Sequence, residues 1–369
     1  MVRNVRSRRG CCGPGFDAPL LMRPLLCGYY GEHNLGDDAL LAALLAQLPP
    51  DQRPLVTAHD QAQVQSRFGV DTCPRRRLRA VLSALSGCDA LVLGGGSLLQ
   101  DATSFRSLVY YALLIAAARL RGRPVLLWAQ GLGPLHRRCS RLLVRLVLPL
   151  ASGISWRDPA SAALAARWGV RAASGSDPVW ALPLGQWQGD GGPILLCWRF
   201  SPLLEKAQWR RLLEALDQLA EQADRPVHWL PFHQDQDAAL LEELKRRDWL
   251  PPALARRSQT VMAGSPAEAM ALFEGASLVI AMRLHALILA ALSGAPTAAL
   301  SYDPKVRSAA DGFDCPCLDL DGPLQVVELL GRWQPLLDRP TDPARIETLR
   351  QATAVHQQLL LEGLPPSAP

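Results

Sequence analysis

Short, wholly apolar runs that close in glycine-rich or polar turns recur along this chain, each followed by a helical pattern. That rhythm limits the fold more than any other feature, because it is the signature of βαβ units and parallel sheets. In the first half it predicts strands at 24–29, 54–58, 89–94, 124–129 and 153–156, with helices near 38–48, 75–86, 104–120, 137–150 and 159–168. Residues 170–193 interrupt it with Gly175, Pro178, Pro183, Gly185, Gly189, Gly191, Gly192 and Pro193, which reads as a linker. A second alternation follows. Strands are predicted at 194–198, 226–231, 277–281 and 297–301, and helices near 203–222, 235–247, 266–275, 285–293, 323–332 and 342–361. Ser265-Pro266-Ala267-Glu268 opens the helix near 266 as a capping box. The expected fold is α/β, with two Rossmann-like domains, 22–170 and 193–335, facing across a crevice. A linker at 171–192 joins them, and a C-terminal helix and tail occupy 336–369.

The first 21 residues stand apart. They hold Arg3, Arg6, Arg8 and Arg9 with no acid before Asp17, and no apolar stretch follows, so they do not read as a secretory signal. The folded chain is expected to begin at Met22, leaving 1–21 as a disordered or mis-assigned extension. The whole chain has 369 residues, 49% of them apolar, enough for two ordinary domains. No apolar run reaches the ~20 residues of a membrane span. Nine scattered cysteines, including Cys11-Cys12 and Cys315-Pro316-Cys317, show no zinc-site spacing and read as reduced thiols, so no metal is expected. A net charge of +5 with no basic run interleaved with aromatics does not indicate nucleic acid.

Chemistry concentrates at predicted strand ends, where open α/β sheets bind ligands. Arg283 and His285 fall in the turn after the strand ending at Ala281, and Lys305 follows the neighbouring strand. Two fixed cations suit a small anion bearing phosphate or carboxylate, and a histidine between them is a proton carrier near neutral pH. The first strand runs into Gly28-Tyr29-Tyr30-Gly31-Glu32-His33-Asn34-Leu35-Gly36-Asp37-Asp38, a turn in which Gly31, Asn34 and Gly36 permit close ligand approach. Asp37 and Asp38 start the next helix, where one caps and the other is a candidate base. These glycines match neither a dinucleotide fingerprint nor a nucleotide-hydrolysing P-loop. Leu93-Gly94-Gly95-Gly96-Ser97-Leu98-Leu99-Gln100-Asp101, Gln130-Gly131-Leu132-Gly133-Pro134 and Trp156-Arg157-Asp158-Pro159 close three further strands, so the crevice is expected to be lined by Gly95, Gly96, Ser97, Asp101 and Gln130.

Taken in order from 23 to 310, these segments, with Arg157-Asp158-Pro159-Ala160-Ser161, Met282-Arg283-Leu284-His285-Ala286-Leu287-Ile288 and Ser301-Tyr302-Asp303-Pro304-Lys305, resemble the polysaccharide pyruvyl transferase family, and its CsaB-type bacterial members most. The sequence departs from that pattern at Glu32-His33 and at Ala129, away from the charged positions. The resemblance implies a fold similar to the GT-B glycosyltransferases, with an acceptor side in 22–170 and a donor side in 193–335. It implies transfer of pyruvate from phosphoenolpyruvate, as co-substrate and without a further cofactor, onto two hydroxyls of a cell-envelope sugar, lipid-linked or free. Arg283, Leu284 and His285 match the family's donor-binding motif, Lys305 its lysine and Asp37 its acid, with Arg157 a further donor contact. His285 and Asp37 or Asp38 are then the catalytic acid and base.

Two rival readings share the shape: a GT-B glycosyltransferase using a nucleotide sugar, and a non-catalytic, two-lobed sugar- or anion-binding protein. The chain is expected to be cytoplasmic. From Arg119 to Leu150 it carries seven arginines and no acid, and 136–148 reads as a basic amphipathic helix. Such a helix serves either as scaffold or as a weak contact with the inner face of an anionic membrane.

Overall fold

In the computed structural model, which describes residues 22–201 and 203–364, two parallel sheets stand side by side. The first contains β1 (Pro24–Tyr30), β2 (Leu55–Ala58), β3 (Asp71–Pro74), β4 (Ala90–Leu93), β5 (Gly96–Leu99), β6 (Val125–Leu132), β7 (Gly153–Trp156) and β8 (Ala173–Ser174). Their order is β3-β2-β1-β4-β6-β7-β8, with β5 also paired to β6. The second sheet contains β9 (Ile194–Cys197), β10 (Val227–Trp229), β11 (Ser258–Thr260), β12 (Leu278–Ala281), β13 (Thr297–Ser301) and β14 (Cys317–Asp319), in the order β11-β10-β9-β12-β13-β14. Both are doubly wound sheets whose strand order reverses once, between β1 and β4 and between β9 and β12. Ligands bind outside the carboxyl ends of strands at such points.

The apolar runs form strands because both of their faces are covered. All eight residues of β6 and all four of β4, β9 and β12 are buried. The strands that the sequence pattern misses lack this signature. β3 buries one residue of four, β8 none, and β11 is Ser-Gln-Thr at an exposed edge. Short helices at Gln61–Phe68, Pro252–Arg257 and Pro304–Asp311 also emerge, and the helix expected over 235–247 breaks into Gln234–Asp237 and Leu240–Arg246.

The expected domain limits shift at two places. β8 extends the first sheet, so the connection between lobes begins after Ser174, and it is packed. Asp177 starts a 3-10 turn, Pro178–Ala181, that buries Val179 and Trp180. The expected C-terminal helix is two, Pro343–Ala352 and Ala354–Gly363, and the second returns to the first lobe. There buried His356 bonds Ser155 Oγ at 2.9 Å and the Ser176 carbonyl at 2.8 Å.

One core runs through the junction. Leu40, Leu41 and Leu44 of the helix Leu35–Gln47 share it with Leu287, Ile288 and Leu289 of Leu284–Leu292. Residues 286–292 are all buried, as expected of a helix apolar on every side. Burial stabilises each of its large aliphatic side chains by about 1.5–3 kcal/mol, which clamps the lobes together. No described helix is long and apolar enough to cross a membrane. The seven described cysteines are free thiols; Cys11, Cys12 and the arginine-rich start lie outside the described residues.

Candidate functional site

The turn after β1 faces the second lobe. Gly31 takes a left-handed φ of 70°, and Asn34 caps the helix Leu35–Gln47 by accepting from the Gly36 amide at 3.0 Å. The turn is latched across the crevice by backbone bonds, Leu35 N–H to the Phe232 carbonyl at 2.9 Å and Gln234 N–H to the His33 carbonyl at 3.0 Å. The adjacent acids then part. Asp38 is ion-paired with Arg67 of the helix Gln61–Phe68. Asp37 accepts from Asn34 Nδ2 at 2.5 Å and is electrostatically coupled to His285. Burial pushes each carboxyl up to about 6, offset partly by His285 for Asp37 and by Arg67 for Asp38. Of the two candidate bases, Asp37 is therefore the one on which the charge of the histidine acts.

His285 is the second residue of the helix Leu284–Leu292, and its side chain is 15% exposed. A Cβ on Gly36 would lie 2.4 Å from its Nδ1, so the imidazole occupies the space that this glycine leaves. Its Nε2 stands 3.4 Å from Asp177 Oδ2, at ion-pair distance without a well-directed hydrogen bond. The same oxygen is 3.2 Å from Arg157 Nη1. Arg157 Nη2 donates to Ser97 Oγ at 3.1 Å, and Lys305 Nζ reaches that hydroxyl from the other lobe at 3.0 Å. A continuous chain, Lys305–Ser97–Arg157–Asp177–His285, thus crosses the junction at the carboxyl ends of the strands. Burial and the neighbouring guanidinium lower the Lys305 pKa. His285 and Arg157 hold the Asp177 carboxyl well below the usual carboxylate range, outweighing its own desolvation. Gly131 makes room, since a Cβ there would sit 2.5 Å from Ser97 Oγ and 2.8 Å from Arg157 Nε.

Arg283 lies elsewhere, contrary to its expected convergence with His285 and Lys305. Its Nε donates to Asp237 Oδ2 at 3.1 Å, its Nη2 to Asp237 Oδ1 and, at 3.1 Å, to Gln236. Asp237 is buried and also accepts from the Phe232 and His233 amides, so this pair is closed on itself and braces the latch. The guanidinium in the cluster belongs to Arg157. Leu284 is half-buried against the shared core.

Four of the expected lining residues are committed to the scaffold. Gln130 is buried, its amide donating to the carbonyls of Leu93, Gly94 and Trp128. Asp101 accepts from the His136 and Arg137 amides, with its carboxyl held down at about 2. Buried Gly95 packs under Leu40 and Trp128, and Gly96, with φ of 104°, turns the chain into β5. The residues that the pattern missed are Asp177, inside an apparent linker, Asp237, on a polar helix face, and Gly131. Ser176-Asp177-Pro178, a capping residue followed by proline, is the local signal that marks Asp177.

Two doubly wound lobes with a polar cluster at their junction define the GT-B class of fold. Solved structures similar to this chain carry that fold. The UDP-GlcNAc 2-epimerase from Methanocaldococcus jannaschii matches with a TM-score of 0.62 at 12% identity, over 92% of this chain and 99% of that one. The Neisseria meningitidis UDP-GlcNAc 2-epimerase bound to UDP-GlcNAc matches at 0.58 and 11%, over 92% and 100%, and Acinetobacter baumannii MurG at 0.50 and 15%, over 92% and 99%. At such identities the likeness is one of fold. No curated protein sequence matches the chain. The family model for polysaccharide pyruvyl transferase matches residues 34–304, and the chain belongs to that family.

Proposed function

We propose that this chain transfers pyruvate from phosphoenolpyruvate to two hydroxyls of one sugar of a cell-envelope polysaccharide or its lipid-linked precursor, forming a cyclic ketal and releasing phosphate. The observation that carries this reading is the pairing of Arg157 and Lys305 on one hydroxyl, 3.1 and 3.0 Å away, beside His285. That spacing suits a compact donor with a phosphate and a carboxylate, whose oxygens take the place of Ser97 Oγ between the two cations. His285 as imidazolium protonates the methylene carbon of the enol, which leaves cationic character at the neighbouring carbon. A sugar hydroxyl attacks there as Asp37 takes its proton. Phosphate then leaves, carrying off the proton that Asp37 had taken, and the second hydroxyl closes the ketal, giving up the proton that restores His285. Holding one sugar through both attacks is what the crevice contributes. The Asp37 carboxyl, raised to about 6, is a stronger base than an ordinary aspartate.

The test is phosphate release from phosphoenolpyruvate against a panel of lipid-linked and free β-configured sugars. Sugar-dependent release is expected, and His285→Gln should lower it by about 10²–10⁴-fold while donor binding persists. A variant that keeps more than about a third of the rate would make His285 structural. We place the reaction in the cytoplasm, with transient contact at the inner face of the membrane through the helix Arg138–Val147.

A further inference from the structure

We propose that Asp177 is the positioning residue of this site: its carboxylate, supplied by the strap between the lobes, sets His285 of one lobe against Arg157 of the other. The use of His285 rests on the pyruvyl-transfer reading; the contact itself does not.

The two oxygens of Asp177 have separate duties. Oδ1 accepts from the Val179 amide at 3.1 Å and so caps the 3-10 turn Pro178–Ala181. That turn is immobilised by Pro178 and by Trp180, whose buried ring packs edge-on against Phe313 at 5.5 Å. Oδ2 is thereby a fixed point, 3.2 Å from Arg157 Nη1 and 3.4 Å from His285 Nε2. An imidazole anchored by a carboxylate at one nitrogen keeps one orientation. The other nitrogen, Nδ1, is left over Gly36.

The charged groups around the ring are few. Asp37 acts on it electrostatically from the helix Leu35–Gln47, and Asp177 pairs with it from the strap. Arg157 shares the Asp177 oxygen, and Arg283 in the same turn as the histidine is taken up by Asp237. Asp177 is therefore both the charge at Nε2 and the link through which the position of His285 depends on the first lobe.

Asp177→Asn retains the capping oxygen, which asparagine supplies as well as aspartate, and removes the charge. Asp177→Ser does the same with a shorter side chain and carries the test if the Asn variant fails to fold. The readout is the NMR signal of the His285 imidazole in the ligand-free full chain, assigned by its loss in His285→Gln. That signal is expected to move and broaden in the uncharged variants as the ring loses its fixed orientation, and to recover in part in Asp177→Glu. The kcat for phosphate release should fall by about tenfold or more, with KM for phosphoenolpyruvate little changed. An unchanged His285 signal in a folded, uncharged variant overturns the proposal. A changed signal in a protein that releases no phosphate from phosphoenolpyruvate with any acceptor supports the positioning role and sinks the pyruvyl-transfer reading instead.

Discussion

Asp37 and Asp38 are neighbours in sequence with unlike tasks, because a helix start turns successive side chains in different directions. One is ion-paired with Arg67 and serves the fold; the other is half-buried, accepts from Asn34 and feels the charge of His285, yet desolvation holds its carboxyl up. With a pKa of about 6 against 3.8 for an ordinary aspartate, folded Asp37 holds its proton more tightly than the unfolded chain does. Between those values the native state binds more protons, so stability falls as pH rises through that window and stays reduced above it. Asp37→Asn should therefore be inactive yet more stable than wild type at pH 8, by about 1–3 kcal/mol, with the difference closing at pH values below the unfolded pKa. Urea denaturation at both ends of the window measures it. A less stable variant at pH 8 would mean that the hydrogen bond from Asn34 and the attraction of His285 outweigh the burial cost.

Two helices carry the next predictions. Leu284–Leu292 follows Arg283 at its N-cap, whose guanidinium balances a buried carboxylate. Removing one member of such a pair strands the other, at a typical cost of about 3–5 kcal/mol. Arg283→Ala should lower the melting temperature sharply, whereas Lys305→Ala, whose partner is a neutral hydroxyl, should barely move it while weakening phosphoenolpyruvate binding. Calorimetry with donor titration separates the two; equal loss of donor affinity at unchanged stability in Arg283→Ala would return that residue to the donor site. The helix Arg138–Val147 buries Ser140, Val144 and Val147 as scaffold, but its outer face leaves Leu142 59% and Leu146 63% exposed among Arg138, Arg141 and Arg145. That face should bind anionic liposomes at low salt and release them as salt rises, since screening acts over about 8 Å at physiological ionic strength. Co-sedimentation of wild type and an Arg137, Arg138, Arg141 triple glutamate variant checks it. Equal binding to neutral liposomes, or none at low salt, leaves the helix as scaffold.

Across the whole molecule, the apolar core, the backbone latch and the His356 anchor all couple the lobes, so a ligand at the junction should stabilise both together. At a hundred times its dissociation constant, such a ligand adds about 2.7 kcal/mol. Phosphoenolpyruvate should therefore raise the midpoint of a single thermal transition, while UDP should not. A shift with UDP alone would favour nucleotide-sugar transfer, and two separate transitions would show that the lobes melt independently.

What the chain announced locally was considerable. Apolar runs buried on both faces and glycines after strands marked nine of the strands, both doubly wound lobes and the turns that bear Asp37, Ser97, Arg157, His285 and Lys305. Those features are legible because hydrophobic periodicity and turn chemistry act between near neighbours. Only tertiary structure could decide which cation joins His285. Arg283 is two residues away in sequence yet is claimed by Asp237, while Arg157, far earlier in the chain, arrives through a second strand end. It also turned an apparent linker into the strap that delivers Asp177, and separated Asp37 from Asp38. Charge pairing depends on distance through space and on what each side chain finds once it is desolvated, and neither quantity exists until the two lobes have met.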